Sequence, residues 1–253
     1  MIPKIIHYCW FGGNPLPKEA KKCIASWKKY LPCYKIKEWN ESNFNINCCN
    51  YVKEAYEAKK YAFVSDYVRF FVLYNEGGLY FDTDVEIIKN MDHIINAGNF
   101  MGFEKGLQNA PSGIAPGLGI GSEANEPLFK TILEYYENKN HFTFGDHTVV
   151  TYTTNLLKNF GLVNEHKFQK VANFNIYPAE YFCPMDSTTG KLTITDKTVS
   201  IHHYSCSWID HNTLSWKLHI LKNKLIELFG EKFILSISKL LKRQTWKNPF
   251  ELQ

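Results

Sequence analysis

Residues 62–86, AFVSDYVRFFVLYNEGGLYFDTDVE, constrain the fold of this chain most, because signals for a helix, a stop, a strand and a turn follow one another without a gap. Across residues 63–74 the apolar side chains Phe63, Val64, Tyr67, Val68, Phe70, Phe71, Leu73 and Tyr74 recur at helical spacing. So wide a stripe needs partners on more than one side. Asp66 and Arg69 interrupt it and, three apart, leave the same face. In a helix this apolar, a charged pair is either a structural ion pair or a pair directed into a polar cleft. Gly77 and Gly78 can supply the left-handed residue that closes the helix and allow a sharp reversal. Leu79, Tyr80 and Phe81 then read as a short buried strand, followed directly by Asp82, Thr83 and Asp84. Two carboxylates two residues apart at a strand end can converge on one divalent cation, since hard oxygen ligands suit Mg²⁺ or Mn²⁺. The same triplet also occurs as a solvated turn.

Composition sets the frame for this stretch. With 253 residues and 45% hydrophobic content, the chain can bury one sizeable core. Its seven cysteines lack C-x-x-C spacing and are odd in number, which suggests neither a zinc site nor a disulfide framework and fits a reducing cytosol. The strand-like residues 2–10 follow without a charged-then-apolar leader, so secretion is not expected. No uninterrupted apolar run reaches transmembrane length.

Taken in order, residues 4–10 read as a first strand that ends at Trp10 before Phe11, Gly12 and Gly13. In open α/β sheets, ligand crevices lie at the carboxyl ends of strands, so Trp10 either lines a ligand edge or caps the core. Residues 18–30 form an amphipathic helix with Ala20, Cys23, Ile24 and Trp27 inward, and residues 34–39 a second strand. A β-α-β opening with short connections predicts a parallel, doubly wound sheet. Cys48 and Cys49 read as structural, and residues 51–59 as a short helix. Strands are expected at 85–88, 100–103, 175–178 and 199–203, and helices at 127–136 and 148–158. The Gly-, Pro- and Ala-rich residues 107–122 suggest a flexible wall beside the turn.

The run Ser65, Asp66, Arg69, Leu73, Gly77, Gly78, Tyr80, Asp82 and Asp84 resembles the signature of glycosyltransferase family 32, the sugar-binding region containing a DXD motif. It is similar as well to the same segment of the large glucosylating bacterial toxins. The resemblance implies a GT-A fold, Rossmann-like with a mostly parallel central sheet flanked by helices, together with a nucleotide-sugar donor and Mn²⁺ or Mg²⁺. It implies that Asp84 binds the metal, that Asp82 lies by the donor ribose and metal shell, and that Asp66 and Arg69 contact hydroxyls of the transferred sugar. Ser65 would lie beside the nucleotide, Tyr80 would pack near it, and Trp10 would stack on uracil. A toxin carboxylate sits five residues before a tryptophan that contacts the departing phosphates; counting back from Trp208 reaches His203 as a third metal ligand, with His202 as second choice. Cys206 stands where the toxins have a serine close to the metal.

Beyond Trp208 the character changes. Between residues 214 and 247 there are eight Lys or Arg and two Glu, a net charge of +6 against +4 for the whole chain, so the rest sums to −2. Residues 1–213 are therefore expected to form the catalytic domain and residues 214–253 a basic amphipathic helical extension. That extension either lies on an anionic membrane surface or packs across the domain. No nucleic-acid motif accompanies the charge. The resemblance, taken with these features, implies a cytoplasmic, metal-dependent, retaining hexosyltransferase, at the inner face of the membrane if the tail binds lipid. It would move a sugar from a UDP-sugar to a saccharide or lipid-linked saccharide in bacterial capsule or other surface polysaccharide synthesis. Two other readings stand beside it. The sequence from Asp82 to Val85 also matches the nucleophile turn of haloacid-dehalogenase-type phosphatases, and the aromatic content would suit a non-catalytic carbohydrate-binding module.

Overall fold

The computed structural model describes residues 1–105, 111–143, 148–186 and 190–205, with Leu221 and Leu225. The expected extension at 214–253, apart from those two leucines, lies outside the described residues, as do Cys206 and Trp208.

The chain opens with β1 (Ile5–Cys9), α1 (Lys18–Tyr30) and β2 (Lys35–Trp39), and β1 pairs in parallel with β2. Helix α1 buries Ala20, Cys23, Ile24 and Trp27, the inward set read from its spacing. Trp27 is fully buried and donates its indole N–H to the Val85 carbonyl at 2.7 Å, so its one polar atom is satisfied inside the core. Helix α2 (Asn50–Glu57) leads into α3 (Tyr61–Glu76), which is buried through Val64, Tyr67, Val68, Phe70, Val72 and Leu73. Val68, Phe70 and Leu73 are fully shielded, each contributing about 1.5–3 kcal/mol relative to exposure.

Gly77, at φ 64°, closes α3, and Gly78, at φ 107°, opens β3 (Gly78–Tyr80). A Cβ on Gly78 would stand 2.7 Å from the Ile5 carbonyl oxygen, so the close approach of β3 to β1 requires glycine there. His7 of β1 locks the junction: Nε2 bonds the Gly77 carbonyl at 2.9 Å, and Nδ1 accepts the Trp39 indole N–H at 3.0 Å.

Then come β4 (Val85–Ile87), α4 (Asp92–Ile95), β5 (Phe100–Lys105), β6 (Pro111–Ile114), a 3₁₀ turn (Pro116–Leu118) and β7 (Ile120–Ser122). The wall expected at 107–122 is therefore two strands and a turn in its described part. Residues 113–122 are buried throughout, because their small side chains let them pass beneath neighbouring rings. A Cβ on Gly121, for example, would stand 2.1 Å from the Phe100 ring. Helix α5 (Pro127–Glu137) follows, then α6 (Val149–Lys158), β8 (Gln169–Val171), β9 (Phe174–Tyr177), α7 (Ala179–Phe182) and β10 (Ser200–His202). Thr148 caps α6 by accepting the Thr151 N–H.

The main sheet has the order β2-β1-β3-β7-β5-β9-β8, with β6 beside β5. Strands β2, β1, β3, β5 and β9 share one direction, whereas β6, β7 and β8 oppose it. The expected α/β architecture with a mostly parallel sheet is met, with β7 inserted antiparallel at its centre. A second, two-stranded sheet pairs β10 with β4. Among the described residues no helix is long and apolar enough to cross a membrane.

Candidate active site

The register of β1 on β3 sets His7 opposite Tyr80, so Trp10 and the residues after Tyr80 emerge at the same carboxyl edge of the sheet. Residues 82–85 form a tight turn there, closed by the Val85 N–H on the Asp82 carbonyl at 3.0 Å. Trp10 is half-buried, and its indole N–H donates to the Asn14 carbonyl at 2.6 Å. Two clusters occupy this edge.

The first joins α3 to the turn. Arg69 Nη2 lies 2.9 Å from Asp66 Oδ1 and 3.3 Å from Asp82 Oδ1, while Arg69 Nε donates to the Ser65 carbonyl at 3.1 Å. The Tyr80 hydroxyl donates to the same Asp82 Oδ1 at 3.0 Å, and the guanidinium carbon sits 5.1 Å from the centre of the Tyr80 ring. Arg69 is 4% exposed and Asp66 9%. Burial and the nearby Asp82 push the Asp66 carboxyl up to about 6, against the opposing pull of Arg69. Burial works against the charge on Arg69, but the facing Asp82, Tyr80 and Asp66 groups outweigh it and hold the guanidinium firmly protonated. The Ser65 hydroxyl donates back to the Tyr61 carbonyl at 3.0 Å. Beneath this group lies the Cys9 thiol, pushed up to about 12 by burial despite hydrogen bonds to Tyr80 and Ser65. The helical spacing of Asp66 and Arg69 left two readings open; here the pair is an ion pair and borders the edge as well.

The second cluster spans the two sheets. Asp84 Oδ1 lies 3.2 Å from His202 Nε2, and Oδ2 accepts the Ser205 N–H at 2.9 Å and the Ser205 hydroxyl at 3.0 Å. Burial alone would raise the Asp84 pKa, but the charge and hydrogen bond of His202 and the two Ser205 donors hold it well below the ordinary carboxylate range. Burial likewise disfavours the imidazolium of His202, yet Asp84 outweighs that and raises it to about 9. His202 Nδ1 is buried and has no hydrogen-bond partner.

His203 goes elsewhere. Its backbone N–H bonds the Asp84 carbonyl at 3.0 Å, but its ring points to Glu86, Nε2 to Oε2 at 2.8 Å. Side chains alternate along a strand, so only one of the two histidines can face Asp84, and the structure puts His202 there. Counting back from Trp208 chose the other because the pairing of β10 with β4, which sets the alternation, is invisible in a spacing. The reading at Trp208 itself lies outside the described residues. Ser205 stood unassigned in the sequence, although a serine within a His- and Trp-rich cluster is a signal for a carboxylate donor.

The chain is similar to known glycosyltransferases. Residues 17–101 match the model of the glycosyltransferase sugar-binding region containing DXD motif. A glycosyltransferase of Acanthamoeba polyphaga mimivirus is 28% identical over 226 residues, covering 83% of this chain and 85% of its own length. Inositol phosphoceramide mannosyltransferase 3 of Schizosaccharomyces pombe is 27% identical over 150 residues, 58% of this chain, and the chain spans only 39% of that relative's length. Among solved structures, the PaToxG glycosyltransferase aligns at 20% identity and TM-score 0.46 over 62% of this chain and 69% of its own. A glycosyltransferase involved in glycosylation of the major capsid of PBCV-1 aligns at 9% identity and TM-score 0.47, covering 89% of this chain and 100% of its own. Residues 17–101 thus match the sugar-binding region of DXD-containing glycosyltransferases, with its motif seated at the sheet edge, and over most of its length the chain is similar to a glycosyltransferase.

Proposed function

We propose that the chain transfers a hexose from a UDP-sugar to a hydroxyl of a saccharide or lipid-linked saccharide, with a divalent cation and retention of anomeric configuration. The observation that carries the reading is the pair of clusters side by side on one turn. Arg69 bridges Asp66 and Asp82, and Asp84 faces His202 beside them.

The second cluster fits Mn²⁺ or Mg²⁺. Asp84 offers a carboxylate, and His202 turns Nε2 toward it at 3.2 Å, close enough for the oxygen and a deprotonated imidazole nitrogen to share one cation. Among the described residues no group of three His, Cys, Asp or Glu side chains is poised for a metal. A cation held by Asp84 and His202, with Asp82 near its shell, would therefore complete its coordination with donor phosphate oxygens and water, the usual habit of Mg²⁺ sites. When bound, the cation neutralises charge growing on the leaving diphosphate. His202 replaces His203 in this assignment, and Trp208 keeps its proposed role at the departing phosphates.

The chain's own residues do the rest. Trp10 stacks on the base, with Ser65 and Tyr80 beside the nucleotide. Asp66 and Arg69, held rigid by their mutual ion pair, bond the hydroxyls of the transferred sugar and fix the anomeric carbon for same-face attack. Asp66 positions the sugar and is not a covalent nucleophile, since its carboxylate is engaged by Arg69 at 2.9 Å. The name of the yeast relative supports a lipid-borne acceptor. Bacterial surface polysaccharide synthesis, a cytoplasmic site of action and membrane contact through residues 214–253 belong to the same proposal. The phosphatase reading loses its footing here. Asp82, its nucleophile, already accepts from Tyr80 and pairs with Arg69, and the matched family is a transferase.

A donor screen tests the proposal: purified protein with Mn²⁺ or Mg²⁺ and a panel of nucleotide sugars, following nucleoside diphosphate release with and without saccharide or lipid-linked acceptors. UDP release that a chelator abolishes, with an axial or equatorial product linkage matching the donor's, is expected. Silence with every donor, or hydrolysis of a generic phosphomonoester instead, would overturn it.

A further inference from the structure

Asp82 is fixed from three directions. Tyr80 and Arg69 hold Oδ1, and the Asp82 backbone N–H donates to the Gly117 carbonyl at 3.1 Å. The other carboxylate oxygen, Oδ2, lies directly over Gly117, where a Cβ would stand 1.9 Å from Oδ2, 2.9 Å from Cγ and 3.5 Å from Arg69 Nη1. Real side chains do not approach a Cβ that closely, so either the carboxylate or the turn would have to move. The carboxylate cannot swing aside freely, because rotation breaks its bonds to Tyr80 and Arg69.

Backbone conformation does not explain this glycine. Gly117 has no positive φ, and alanine could adopt its backbone, whereas Gly119 two residues on sits at φ 146°. What Gly117 supplies is an acceptor for the Asp82 amide and empty space for the Asp82 carboxylate. It is buried in the short turn between β6 and β7, the segment that crosses the sheet edge next to β3.

We propose that Gly117 is a positioning residue for Asp82: by lacking a side chain, it sets the depth and rotation at which that carboxylate meets the donor. The proposal rests on the reading of Asp82 as a donor-facing group. Gly117 itself touches no substrate. A methyl group there turns Oδ2 away, and because Arg69 shares Oδ1 with Tyr80, the Asp66–Arg69 pair shifts with it.

A double-substitution cycle tests this with Gly117→Ala, Asp82→Ala and the two combined, read as Mn²⁺-dependent UDP affinity by calorimetry, donor KM and kcat, and Tm. For Gly117→Ala the expected result is UDP affinity weakened and donor KM raised by about tenfold, with kcat falling by up to about 100-fold, the rate cost of a misplacement near 1 Å. In the Asp82→Ala background the same substitution changes UDP affinity less than twofold, because the group it would strike is gone. Failure of Gly117→Ala to fold while the double variant folds would also support the contact. An unchanged donor KM in Gly117→Ala, or an equal loss of UDP affinity in both backgrounds, overturns the proposal. If the wild-type chain turns over no donor, the functional reading fails on its own. The Tm cycle still reports the contact: a loss confined to the wild-type background supports it, and equal losses remove it.

Discussion

The two clusters on the residue 82–85 turn are built in opposite ways. Asp66, Arg69, Tyr80 and Asp82 come from one helix and the strand after it, within seventeen residues of chain, and they pair with one another: one guanidinium bridges two carboxylates. Asp84, His202 and Ser205 meet across a sequence separation of 121 residues, brought together by the antiparallel pairing of β10 with β4. In the first cluster every charged group has a partner within the cluster, and the geometry is fixed before any donor arrives. In the second, the His202 Nδ1 atom is left over. The contrast matches the proposed division of labour, in which the local half would orient the sugar and Asp84 with His202 would hold a cation beside the leaving diphosphate.

Substitutions can break that contrast, and the largest effect falls on turnover. Asp84→Ala is expected to lower metal-dependent UDP release by about 100- to 1,000-fold, with the fold retained by circular dichroism, since it removes the carboxylate proposed to hold the cation. Undiminished release would remove the cation from this cluster. Arg69→Ala should instead strike stability, because it leaves Asp66 and Asp82 facing each other without their shared partner. A loss of about 3–5 kcal/mol, or a Tm lower by about 10 °C, is expected in thermal unfolding. Equal Tm losses at both positions would erase the distinction drawn here.

Smaller effects sharpen it. His202→Ala is expected to weaken Mn²⁺ dependence of turnover by about tenfold to 100-fold, whereas His203→Ala, whose ring pairs with Glu86, should stay within about twofold. The reverse ranking would restore His203 as the ligand. The least of the expected effects concerns pH. The Asp66 carboxyl is pushed up to about 6 in the folded chain from an ordinary value of 3.8. Its contribution to stability is therefore complete below about pH 4 and is lost as pH rises through about 6. Relative to Asp66→Asn, the wild-type Tm should fall between pH 4 and pH 7; parallel Tm profiles would contradict the raised value.

How much could be read beforehand follows the same division. The apolar periodicity of residues 63–74 and the paired glycines were enough to place α3, its stop and β3, because helix packing and left-handed closure are local demands. The inward face of α1 was legible to the residue. The glycine-rich residues 113–122 misled, since small residues signal looseness in isolation and close packing when rings cover them, as Phe100 covers Gly121. On spacing alone His203 is preferred to His202, because strand alternation has no reference point until the partner strand is known.

By itself, then, the sequence determined the α/β class, the helix–turn–strand that carries Asp66, Arg69, Asp82 and Asp84, and the edge of the sheet at which Trp10 emerges. All of these follow from interactions between residues close in the chain. Only the tertiary structure decided which histidine meets Asp84, that Ser205 holds the same carboxylate, and that the absent side chain of Gly117 makes room for Asp82. Those contacts join segments separated by 35 to 121 residues, and their register is set by strand pairing and by the volume left between packed elements. Neither quantity is carried by any one stretch of chain.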